Sequence, residues 1–142
     1  MKVRSIKELL QALEATKDNI MEHEISEKVK SLMADNVETH VYKAYEPRDY
    51  VRTGQLKEDF DYFYDKGVLG VYSSRYDINN GYFVDIPRII ERGRGYSWGG
   101  NALDDFIGPR PFGAMTREDL GKHGLFRRYL VESLKAKGYK VI

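Results

Sequence analysis

The sequence has 142 residues, 42% hydrophobic and 32% charged, enough apolar material for one globular domain and too much charge for a membrane-embedded chain. It holds no cysteine, which excludes disulfides, thiol catalysis and Cys-ligated zinc. The net charge is only +1, no run approaches the roughly 20 apolar residues that span a bilayer, and Met1-Lys2-Val3-Arg4 lacks a signal-peptide core, so a cytosolic, soluble protein is expected.

Ser5-Ile6-Lys7-Glu8 reads as a capping box, and Ile6, Leu9, Leu10 and Leu13 follow at helical spacing. Ile25, Val29, Leu32, Met33, Val37 and Val41 lie at steps of three or four, which predicts a long amphipathic helix from Met21 to Tyr42, continuous with the first or close to it. Pro47 ends that region, and residues 46–57 read as a polar, aromatic loop. Phe60 to Tyr64 and Val68 to Tyr72 flank Asp65-Lys66-Gly67 and predict a β-hairpin. Ile78-Asn79-Asn80-Gly81 reads as a turn before a short strand, Tyr82-Phe83-Val84. Pro87 suits the first turn of a short helix that Gly93 stops.

Residues 93–114 are the least regular stretch, and a long loop in a small domain is usually functional. A last helix is expected from near Thr116, capped by its hydroxyl, through Leu120, Phe126, Leu130 and Leu134 to Gly138, with a final edge strand at Tyr139 to Ile142. The pattern predicts an α+β fold: one domain over residues 1–142, with a central antiparallel β-sheet flanked by a long N-terminal helix and a C-terminal helix.

The charge is uneven. Residues 1–85 hold 12 Lys/Arg against 16 Asp/Glu, a net of −4, and residues 86–142 hold 11 against 6, a net of +5. Oppositely charged ends suit stacking on copies of the same chain or on a charged partner, although ordinary compositional scatter explains the numbers equally well. The 11 tyrosines suit interfaces and base stacking alike.

Catalytic signals are sparse. His23, His40 and His123 fit no metal-ligand spacing, and Ser73-Ser74 has no nucleophile-elbow setting. The glycine run at 93–100 matches neither phosphate-binding pattern. Asp104 and Asp105 with Glu91 are a weak candidate for a divalent ion, and a carboxylate-dependent metal hydrolase is the third reading. No enzyme, cofactor or metal is expected. Arg88, Arg92, Arg94 and Arg110 surround Tyr96 and Trp98 in the sequence, which keeps a small nucleic-acid-associated protein as the second reading. A pI near 7.9 and the enrichment of Arg, Tyr and Trp at protein interfaces favour protein contact for the same residues.

Three segments together resemble the small neck and tail-completion proteins of tailed bacteriophages: Tyr50-Val51-Arg52-Thr53-Gly54-Gln55-Leu56 after a long helix, Ile86-Pro87-Arg88-Ile89-Ile90-Glu91-Arg92-Gly93, and Arg110-Pro111-Phe112 before the C-terminal helix. The resemblance covers roughly residues 25–137. It implies a virion structural protein without catalytic activity. Such a protein forms a ring, typically six-fold, that ends the tail tube or joins tail to head. The partners it implies are other copies of the chain, the tail tube and head-closure or connector proteins, with DNA passing through the ring without specific recognition. The locations it implies are the virion neck and, during assembly, the host cytoplasm. Arg52, Thr53, Gly54, Leu56, Arg92, Arg94, Tyr96, Trp98 and Arg110 are the candidate contact residues. Residues 52–56 equally suit a simple turn into the sheet, and residues 93–101 suit a segment that orders against a neighbour.

Overall fold

Residues 6–42 form one unbroken helix in the computed structural model, which describes residues 4–44, 54–79, 81–93 and 109–142. The helix runs through α1 (Ile6–Asn19), a π-helical turn (Ile20–Ile25), α2 (Ser26–Val37) and a second π turn (Glu38–Tyr42), and every junction residue keeps helical dihedrals. Its start is capped as expected: the Ser5 hydroxyl accepts from the Glu8 amide at 3.2 Å, while Glu8 accepts from the Arg4 amide at 2.8 Å. The π turns serve the burial pattern. Buried Ile20, Ile25, Val29, Met33, Val37 and Val41 are spaced by five and then by fours. Five residues of an α-helix turn about 500°, which would set Ile20 roughly 140° away from Ile25. The wider π turn brings the two back onto one face.

The core closes on this face. Leu56, Phe60, Ile90 and Phe112 complete it, with Phe60 and Phe112 edge-to-face at 6.4 Å between ring centroids. Leu56 enters from α3 (Gln55–Glu58), whose first turn starts at Gly54 with φ 79°, a left-handed conformation that side chains resist. The Lys57 amide donates to the Tyr42 hydroxyl at 3.3 Å, which ties α3 to the end of the long helix.

The fold is α+β, with a long N-terminal helix, small antiparallel sheets and C-terminal helices. The single central sheet that the sequence suggests is instead two separate hairpins among the described residues. In the first, β1 (Phe60–Asp65) pairs with β2 (Val68–Ser73) through a turn at Lys66 and Gly67, both with positive φ, as a two-residue hairpin turn requires. Its inner face packs on the long helix, and the Tyr64 hydroxyl donates to Asp18 at 2.5 Å. In the second, β3 (Tyr76–Asn79) pairs with β4 (Tyr82–Asp85), with Gly81 at φ 80°. Ile78 and Asn79 therefore belong to a strand and not to the expected turn. The sequence reading allowed too wide a turn because Asn79 and Asn80 look alike as turn residues.

α4 (Ile86–Arg92) follows at once, capped by the Asp85 side chain and stopped by Gly93 at φ 64°. The expected C-terminal helix is two helices, α5 (Phe112–Gly121) and α6 (Leu125–Ala136), separated by Gly124 at φ 71°. Thr116 is not a cap. It lies one turn inside α5, and its hydroxyl donates to the Phe112 carbonyl at 2.8 Å. Residues 139–142 form no strand. Lys137 pairs with Glu24 at 3.0 Å and Lys28 with Glu132 at 3.5 Å, so α6 lies along the first π turn and the start of α2.

Candidate functional site

The helical stripe that opens the sequence is left uncovered by the described residues. No residue of α1 is buried, and Ile6, Leu9, Leu10 and Leu13 are 77%, 41%, 61% and 41% exposed. The second hairpin is similarly bare. Tyr76 and Phe83 stack at 5.4 Å, and Tyr76, Ile78, Tyr82 and Phe83 are all more than half exposed. Taking about 200 Å² for a fully exposed large side chain, the α1 stripe and the second hairpin each present roughly 400–500 Å². A monomer rarely exposes an apolar patch beyond a few hundred Å².

A third feature is an apolar groove of about 520 Å³. Met21, Ile25, Val29 and Met33 of the long helix form its floor, with Leu69 and Val71 of the first hairpin on one side and Leu120 and Phe126 on the other. Arg117 stands among the lining residues.

Two of the three segments that carry the phage resemblance meet in space. The Arg110 amide donates to the Ile90 carbonyl at 3.0 Å, and the Glu91 carboxylate accepts from the Gly113 amide. Glu91 thus caps the start of α5, where Pro111 offers no side-chain cap. Gly113 permits the approach, because a Cβ there would stand 2.6 Å from the Glu91 oxygen. Burial pushes the Glu91 carboxyl up from its usual range, against the lowering effect of the Gly113 and Ala114 amides and of Arg117. A second buried junction joins α2 to α5: the Asn36 amide donates to Thr116 Oγ1 and to Asp119 Oδ2, each at 3.1 Å.

The expected contact residues fall into three groups. Gly54 shapes the entry to α3, and Leu56 and Arg110 are each only 6% exposed, inside the subunit. Arg92 is exposed at the end of α4. Arg52, Thr53, Arg94, Tyr96 and Trp98 lie outside the described residues, as do Asp104 and Asp105. Among the described residues no three His, Asp or Glu side chains are placed to hold a metal ion, and no helix is long and apolar enough to cross a membrane. Sequence reasoning missed the exposed stripe of α1 and the aromatic second hairpin as surfaces. The apolar spacing was visible for α1. What the spacing lacked was any sign that the described residues leave it uncovered.

Hairpin, groove and bare helix together describe an α+β domain with a closed core and exposed apolar side chains on α1 and the second hairpin. The chain belongs to the YomN family, whose model matches residues 5–137. It is 34% identical over 122 residues to the SPbeta prophage-derived uncharacterized protein YomN of Bacillus subtilis (strain 168), covering 83% of this chain and 84% of that protein. No solved structure matches. This kinship indicates a phage-derived protein.

Proposed function

We propose that this protein is a structural component of a tailed phage that works by assembly and not by catalysis. It forms a ring at the neck, ends the tail tube or joins tail to head, and acts in the host cytoplasm before residing in the virion. The observation that carries the reading is exposed apolar surface in two places: α1 without one buried residue, and a second hairpin with Tyr76, Ile78, Tyr82 and Phe83 more than half exposed. Surface of that extent costs solubility unless a partner covers it. The three resembling segments and the phage kinship supply the setting, and the six-fold expectation rests on the resemblance.

The test is the mass of the purified chain by light scattering over a range of concentrations, alone and with the tail-tube and head-closure proteins of its phage. The expected result is a species near six times the 16.5 kDa subunit mass, alone or once a partner is added. A chain that stays at subunit mass with every partner overturns the reading. Salt-sensitive binding to DNA would then point to the nucleic-acid alternative.

A further inference from the structure

We infer that the outer face of the first hairpin docks on the basic cleft beside α6 of a second copy of this chain, with Phe63 entering the cleft and Asp61 and Asp65 meeting Arg127 and Lys135. The inference rests on the assembly reading and names one contact within it. Both surfaces consist of described residues.

Strand alternation builds the first surface. Along β1, Phe60, Tyr62 and Tyr64 are the more buried set, while Asp61, Phe63 and Asp65 are exposed on the other face. Gly70 lies opposite Phe63 in the register, and a Cβ there would stand 2.1 Å from the Phe63 ring. The ring therefore lies over the glycine, backed by the sheet, with the Tyr72 ring 6.5 Å away, and it is still 53% exposed. Asp61 accepts from the adjacent Tyr62 amide at 2.8 Å, and neither Asp61 nor Asp65 has an ion-pair partner among the described residues.

The second surface is a cleft of about 480 Å³. Arg127, Val131 and Lys135 line it at steps of four along α6, together with Val141 and Ile142. The carboxylate in the cleft, Glu132, is already held by Lys28 at 3.5 Å and by Arg128 at 3.7 Å. Arg127 and Lys135 are exposed and have no ion-pair partner among the described residues.

The two surfaces match in charge and in pitch. One reads acid, aromatic, acid and the other base, aliphatic, base. At about 3.3 Å per strand residue, Asp61 and Asp65 stand roughly 13 Å apart. At about 1.5 Å per helical residue, Arg127 and Lys135 stand roughly 12 Å apart along the axis. Each surface thus supplies the unpaired charges that the other needs, with an apolar centre between them. A free polyanion would use the cleft alone and leave the acidic, aromatic face without an occupant. Within one subunit the hairpin packs its inner face on the long helix, and both surfaces stay exposed, so they meet between copies. A contact between two different surfaces is head-to-tail. It closes into a ring where its rotation permits and otherwise runs on as a stack.

The test uses charge reversal in the full chain. One variant carries Asp61→Lys with Asp65→Lys, and the other carries Arg127→Glu with Lys135→Glu. All four side chains are exposed, so each variant should keep its helical circular dichroism. Light scattering follows each alone and the two mixed in equal amounts, with the tail-tube and head-closure proteins added where the parent chain needs them to assemble. Each variant alone should need a concentration about tenfold or more above the parent's to assemble. The mixture should assemble like the parent, because every hairpin then faces a cleft of opposite charge. Assembly unchanged in both variants overturns the docking and leaves the assembly reading standing. So does a loss in one variant only, or a loss in both that mixing does not restore. Unchanged assembly with loss of binding to a labelled DNA duplex in Arg127→Glu/Lys135→Glu overturns it too and gives the cleft to nucleic acid. Subunit mass for the parent chain under all conditions defeats both readings.

Discussion

At the scale of single residues, Glu91 does the work of a cap from a distance. Pro111 cannot cap α5, and Glu91 of α4 reaches across instead. Removing it in Glu91→Ala leaves partly buried amides without a partner, an expected loss of about 1–2 kcal/mol in denaturant unfolding. Glu91→Gln keeps an acceptor and removes a buried charge, so it should lose little. The sign of the pH effect follows from the raised carboxyl. The folded chain holds this proton more tightly than the unfolded chain, so the contribution of Glu91 is complete below its usual 4.5 and fades as pH rises through the folded value. As pH rises above the usual 4.5, Glu91→Gln should therefore be favoured progressively over the parent chain. Asp18, held low chiefly by the Tyr64 hydroxyl, and Glu24, held low chiefly by Lys137, act in the opposite sense and weaken the fold on acidification. Gly113 tests the same contact. Gly→Ala in a helix normally gains up to ~1 kcal/mol. Here the gain should appear only in the Glu91→Ala background, a coupling that a double-mutant cycle measures. The sequence showed Glu91 and Pro111 as neighbours of motifs, but not that one serves the other. Their junction joins residues 22 positions apart, Glu91 and Gly113, which local spacing does not encode.

At the scale of elements, the long helix divides into a buried half and a bare half. Ile25→Ala should cost about 2–5 kcal/mol, because its side chain is fully buried and leaves a cavity. Leu9→Gln with Leu13→Gln should change subunit unfolding by no more than about 0.5 kcal/mol, measured at a dilution where only subunits are present. Hydrogen exchange separates the halves as well: amides of α1 should exchange far faster than those of α2 in the dilute subunit and become protected on assembly. Much of this architecture was legible. Apolar steps of three and four gave the long helix, and a Lys-Gly turn between aromatic runs gave the first hairpin. Ile20 was not legible as core, because on an α-helical wheel it lies far from Ile25 and only the π turn aligns them. The break at Gly124 was hidden for a related reason. Leu120 and Phe126 look continuous in a periodic reading, yet they belong to two helices.

At the scale of the whole molecule, two kinds of contact respond to salt in opposite ways. The net of −4 over residues 1–85 and +5 over residues 86–142 gives each subunit an acidic and a basic part. Contacts between exposed charges weaken as the screening length falls from about 10 Å at 0.1 M to about 3 Å at 1 M. Contacts made by burying exposed apolar side chains such as Leu9, Leu10 and Leu13 against a neighbour do not depend on that length, and excluded salts such as sulfate strengthen them. In a ring assembled as proposed, burial of exposed apolar side chains holds neighbours together within the ring, while charge acts between rings stacked end to end. Sedimentation at about 0.1 M and about 1 M salt should therefore remove species larger than one ring and leave the ring intact. Dissociation of the ring itself at 1 M salt would assign its cohesion to charged side chains such as Glu14, Asp18 and Arg127. In that case the apolar stripe of α1 would be free to meet the tail-tube or head-closure protein instead.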